Sequence, residues 1–111
     1  MSVIIVFPNG TDWFKANWVF CQLAQDVSSR YTNDDGVCNA LELAQAFGSL
    51  DLKKMDEHLR CKVMEAIKTV AEQTINGAIE GWRPYDQKDH ALYCEALAEL
   101  VKLIQQQDVA P

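Results

Sequence analysis

Val3-Ile4-Ile5-Val6-Phe7-Pro8-Asn9-Gly10-Thr11-Asp12-Trp13 is the stretch on which the fold turns. A β-branched run closed by Pro-Asn-Gly is the pattern of a strand followed by a turn. A lone strand needs hydrogen-bond partners, and no second convincing strand follows it. The segment is therefore expected as an extended arm packed on helices, or as an edge that pairs with another copy. From Thr11 onward the pattern changes period. Trp13, Ala16, Phe20, Leu23, Ala24, Val27 and Tyr31 recur at helical spacing, so Thr11 or Asp12 is expected to cap a first helix running to about Tyr31. Trp18, Val19 and Cys21 widen its stripe and predict a central helix covered on more than one side.

Thr32-Asn33-Asp34-Asp35-Gly36 reads as a turn, and Val37, Ala40, Leu41, Ala44 and Phe47 as a second helix ended by Gly48 in the left-handed conformation. Ser49 or Asp51 opens a third pattern with Leu52, Met55, Leu59, Val63, Ile67, Val70, Ile75 and Ile79, ended by Gly81 or earlier by Asn76-Gly77. After the loop Trp82-Arg83-Pro84-Tyr85, Asp86 caps a last helix. Its expected inward residues are Leu92, Tyr93, Ala96, Leu97, Leu100, Val101 and Ile104. The expected fold is all-α: one domain over residues 1–111, a compact bundle or orthogonal array of about four helices with a short N-terminal extended segment.

The chain has 111 residues and an apolar fraction of 49%, enough for one independent core and too ordered a composition for a disordered chain. Its net charge of −6 argues against binding nucleic acid or anionic lipid. The charge is zoned, with net −4 over residues 1–51, +2 over 52–68 and −4 over 69–111. Such zoning suits a basic partner, although a solvated charged surface is the commoner explanation of it. The run Val3 to Phe7 is too short for a secretory core and lacks a preceding positive charge, so the expected location is cytoplasmic. Cys21, Cys38, Cys61 and Cys94 each fall inside a helical apolar pattern and are expected to be reduced, structural thiols.

Three kinds of chemical site and one partner surface come into question. Tyr31 to Glu42 resembles a degenerate EF-hand loop, with Asn33, Asp35, Gly36 and Glu42 in place, but Tyr31 replaces the first carboxylate. An Asx turn before a helix explains the same residues without calcium. His58 with Cys61, and His90 with Cys94, share helical spacing that two packed helices can turn into a zinc site, although two buried thiols beside two surface imidazoles explain it as well. No nucleophile elbow, phosphate-cradling loop or zinc-protease helix occurs, so no catalytic residue, metal ligand or cofactor is expected. The fourth site is a partner surface. Trp82, Arg83 and Tyr85 are the residue types that dominate interfaces, and Asp86 and Asp89, followed by Glu95 and Glu99, make their surroundings acidic. A Trp just past a helix end also commonly folds back on the core.

The run Ala71 to Leu103, through Thr74-Ile75-Asn76-Gly77-Ala78-Ile79-Glu80-Gly81-Trp82, then Tyr93 and Leu97 to Leu100, resembles small helical immunity proteins of bacterial toxin systems. The resemblance implies a compact, acidic cytosolic protein that binds and blocks a toxin domain, often a basic nuclease. The functional expectation is therefore an intracellular inhibitor, not an enzyme, of immunity or anti-defence type. It would occlude a basic protein through Trp82, Arg83, Tyr85, Asp86 and Asp89, without nucleic acid or membrane as partner. The alternatives are a small helical metal- or ligand-binding protein using loop 31–42, and a homodimer or structural oligomer joined through the N-terminal strand.

Overall fold

A computed structural model describes the backbone of residues 2–76 and 87–108, and side chains of 2–76 and 91–107. The chain order is β1 (Ser2–Val6), β2 (Asp12–Ala16), α1 (Asn17–Arg30), α2 (Asp35–Phe47), β3 (Ser49–Asp51), α3 (Glu57–Ile75) and α4 (Gln87–Asp108). A three-stranded mixed sheet in the order β2-β1-β3 packs its inner face on the helices. The fold is α+β, which corrects the all-α expectation.

The correction begins at the turn. Phe7 N–H donates to Thr11 O at 2.9 Å and Gly10 N–H to Phe7 O at 3.0 Å, while Asn9 Oδ1 accepts from Thr11 N–H at 3.0 Å. Gly10 sits at φ 92°, in the region glycine enters without a Cβ clash. Thr11 is thus held inside a hairpin turn and does not cap a helix. β2 runs back antiparallel to β1, pairing Val6 with Asp12 and Ser2 with Ala16. Trp13 is 1% exposed and its neighbour Phe14 is 62% exposed, the alternation of a strand with one covered face. The Trp13–Ala16–Phe20 spacing imitates a helix because a strand and a helix meet end to end there. The first helix starts at Asn17, with no side-chain hydrogen bond at its cap.

The second correction lies at residues 49–55. Ser49–Asp51 form β3, parallel to β1, with Ile4 N–H donating to Gly48 O at 3.2 Å and Leu52 N–H to Val6 O at 2.9 Å. The third helix begins only at Glu57, where the Asp56 carboxylate accepts from Leu59 N–H at 3.3 Å. It ends at Ile75, with Asn76 as its C-cap. Gly48, at φ 76° and ψ 12°, ends α2 as expected and donates to Ala44 O at 2.8 Å.

One core joins the layers. Val3, Ile5, Phe7, Trp13 and Leu50 face inward from the sheet, meeting Phe20, Leu23 and Val27 of α1, Val37 and Leu41 of α2, Ile67 and Val70 of α3, and Leu97 and Leu100 of α4. Each such side chain contributes roughly 1.5–3 kcal/mol when fully buried. Trp13 also ties sheet to helix, since its Nε1–H donates to Ala96 O at 2.9 Å in the interior. Leu92 and Ile75, expected inward, are exposed instead. Among the described residues no helix is long and apolar enough to cross a membrane.

Candidate protein-binding surfaces

Helix α2 carries two apolar stripes. One, Val37, Ala40, Leu41 and Ala44, is buried in the core. The other passes through Gly36, Ala40, Leu43 and Phe47 and borders an open groove of about 480 Å3. Ala40, Ala44 and Leu50 are its buried lining residues, with Leu43, Phe47, Met55 and Leu59 also lining it. Phe47 is 77% exposed and Leu43 55%. The groove adjoins β3, an edge strand. Gly48 and Leu52 bond β1, so the alternation of a parallel ladder turns the backbone groups of Ser49 and Asp51 away from it. No Lys or Arg occurs on α2, which bears Asp35 and Glu42.

A second groove, about 390 Å3, lies where the end of β2 and the start of α1 meet α4. Lys15, Trp18, Leu92, Glu95 and Glu99 are among its lining residues. Trp18 is 42% exposed and Leu92 47%. Lys15 Nζ pairs with Glu99 Oε2 at 2.6 Å. The Trp18 ring rests against Tyr93, with centroids 6.3 Å apart and a 37° tilt. Tyr93 is fully buried and donates its hydroxyl to Asp26 Oδ2 at 3.1 Å, while Gln22 Nε2 donates to Asp26 Oδ1 at 3.2 Å. Burial, then the Asp26 charge, pushes the phenol above its ordinary value and keeps it protonated. Burial likewise raises the Asp26 carboxyl, against the lowering effect of its hydrogen bonds from Tyr93 and Gln22.

Of the residues expected to bind a partner, Trp82, Arg83, Tyr85 and Asp86 lie outside the described residues. Asp89 falls in the first turn of α4, and its side chain also lies outside them. The acidic continuation, Glu95 and Glu99, is described and lines the second groove. Sequence reasoning missed Leu43 and missed Phe47, Trp18 and Leu92 as surface residues. The available signal was the doubled stripe of α2, since a helix apolar on two sides needs two partners.

The loop that resembles an EF-hand is mostly helix. Asp34 Oδ1 accepts from Val37 N–H at 3.2 Å as the α2 N-cap, and Asp34 Oδ2 pairs with Lys62 Nζ at 3.3 Å. The Val37 hydrogen bond is the main cause holding the Asp34 carboxyl below its ordinary value. Asp35, Gly36 and Glu42 are strung along α2 rather than wrapped around a point. His58 and Cys61 border a surface depression with Tyr31, Asp34, Lys62 and Glu65. Among the described residues no group of three or more His, Cys, Asp and Glu converges as a metal cage. The four cysteines are free; Cys61 is exposed, which departs from the buried role expected for it. Cys38 Sγ lies 3.3 Å from Tyr31 O as a donor, and burial pushes the Cys94 thiol up.

Comparison with protein-family models, curated proteins and solved structures finds no match. The central position of β1 also bears on the oligomer reading. It is hydrogen-bonded on both sides within the chain, so strand pairing with a second copy must use β2 or β3 unless the sheet opens.

Proposed function

We propose that this protein is a cytoplasmic binding inhibitor of the immunity type, and that it covers a basic protein using the α2–β3 groove as its main contact. The observation that carries this reading is the pair Leu43 and Phe47, left exposed beside a groove lined by small and apolar residues. Withdrawing a large aromatic from water costs nothing in unmet hydrogen bonds, so such a pair supplies binding energy to any complementary surface. The net charge of −6, and a helix α2 without cations, favour a basic partner over an acidic one. Inhibition then needs no chemistry. A patch of standard interface size excludes substrate from whatever it covers. Trp82, Arg83, Tyr85, Asp86 and Asp89 join this reading on their residue types and charge alone.

The test begins with the reading frames flanking this one. Their products are titrated against the full chain by calorimetry, and a toxic product is assayed with and without it. A toxic basic product that binds and is silenced is the expected result. Leu43→Glu and Phe47→Glu should each weaken that binding by about 2 kcal/mol or more, with melting temperature unchanged because both side chains are already solvated. If no flanking product binds, the immunity reading falls. If one binds and both variants behave like the parent, the contact lies elsewhere on the molecule.

A further inference from the structure

We infer that the groove between α1 and α4, built on Trp18, Leu92, Glu95 and Glu99, receives an arginine side chain from a basic protein partner. The inference rests on the binding-inhibitor reading and adds a second contact of defined chemistry to it. Trp18 and Leu92 offer apolar surface at 42% and 47% exposure. The charged lining is two carboxylates against one ammonium, and the 2.6 Å Lys15–Glu99 pair uses up one of each. Glu95 has no ion-pair partner among the described residues and is exposed. An occupant must therefore be cationic and have an apolar or planar body.

A guanidinium meets both demands, since it stacks on an indole face and offers a fork of N–H donors to a carboxylate. A lysine ammonium matches the charge but is more strongly hydrated and makes no planar stack. A phosphate backbone is repelled by the same carboxylates. A second copy brings another −6 toward this one and is disfavoured at long range. Tyr93, buried beneath Trp18 and anchored to Asp26, fixes the indole from behind, so little side-chain freedom remains to be lost on binding.

The test uses the full chain and two probes: acetyl-Gly-Arg-Gly-amide and its citrulline analogue, which keeps the shape and removes the charge. Binding is read by NMR from the Trp18 indole N–H and the Glu95 side chain. The arginine peptide should move both signals, and the citrulline peptide should bind about fivefold more weakly or worse. Glu95→Gln should lose about fivefold in affinity, while Lys15→Met should gain severalfold by releasing Glu99. Equal binding of the two peptides overturns the inference. So does an affinity unchanged in both variants, or the absence of any Trp18 shift. Phe47→Glu should leave these titrations untouched, which separates failure of this contact from failure of the α2–β3 reading.

Discussion

The two grooves expose similar apolar residues and differ in what surrounds them. In the α2–β3 groove the one charged lining residue is Asp51, whose Oδ1 is occupied by the N–H groups of Lys53 and Lys54 at 3.1 and 3.3 Å. In the α1–α4 groove three of the eight lining residues are charged, and Glu95 has no ion-pair partner among the described residues. The first can hold a partner by area alone, an interaction that salt scarcely touches. The second can attract and orient one, an interaction that salt screens. Affinity and direction are thus assigned to two different grooves over one small core.

The deepest break in that comparison is Trp13→Ala. It removes a buried ring and its bond to Ala96 O, the interior link between β2 and α4 beside the more exposed Lys15–Glu99 pair. A stability loss of roughly 3–5 kcal/mol in urea denaturation is expected, and both surfaces should go with it. A loss below about 1 kcal/mol would mean that the hairpin does not support α4. Gly48→Ala is milder. The added Cβ has room, 3.7 Å from Ser2 O, but φ of 76° imposes a strain of about 1–2 kcal/mol. It should loosen the α2–β3 side in hydrogen exchange before the α1–α4 side, whereas uniform loosening would show that the two sides open together.

Salt separates the surfaces more gently. Raising ionic strength from about 0.05 to 0.5 M should slow association with a basic partner by about tenfold, and Glu95→Gln should flatten that slope. Phe47→Glu should instead act mainly on the dissociation rate. The smallest effects are read by pH, and they fall on different sides. Asp34 caps α2 with its carboxyl below the ordinary 3.8, so its stabilisation is present above that value and is lost as pH falls through the folded one. Tyr93 under Trp18 is shifted up from the ordinary 10.0, so its contribution is full below that pH and declines above it, where the unfolded chain releases the proton and the folded one does not. Asp34→Asn should flatten the acid limb of a stability profile and Tyr93→Phe the alkaline limb. An alkaline limb unchanged in Tyr93→Phe would place its cause elsewhere.

Much of the helical part was legible because its signals are local. Asp34 and Gly48 delimit α2 by capping chemistry alone, and the spacing of Phe20, Leu23 and Val27, or of Leu97 and Leu100, points inward at any reading. The candidate surfaces were less legible. Hydrophobicity marks a residue as apolar without saying whether a neighbour arrives to cover it, so Phe47, Trp18 and Leu92 read as core.

By itself, then, the sequence determined four helical segments, the turn at Pro8–Gly10, an acidic surface and the chief members of one core. Only the tertiary structure decided that Asp12–Ala16 and Ser49–Asp51 are strands. A strand of three or five residues has no internal hydrogen bonds to stabilise it, and β3 meets β1 across more than forty residues of chain. That pairing exists once the helices have brought both strands to one face of the core, and its information resides in no stretch of sequence short enough to read.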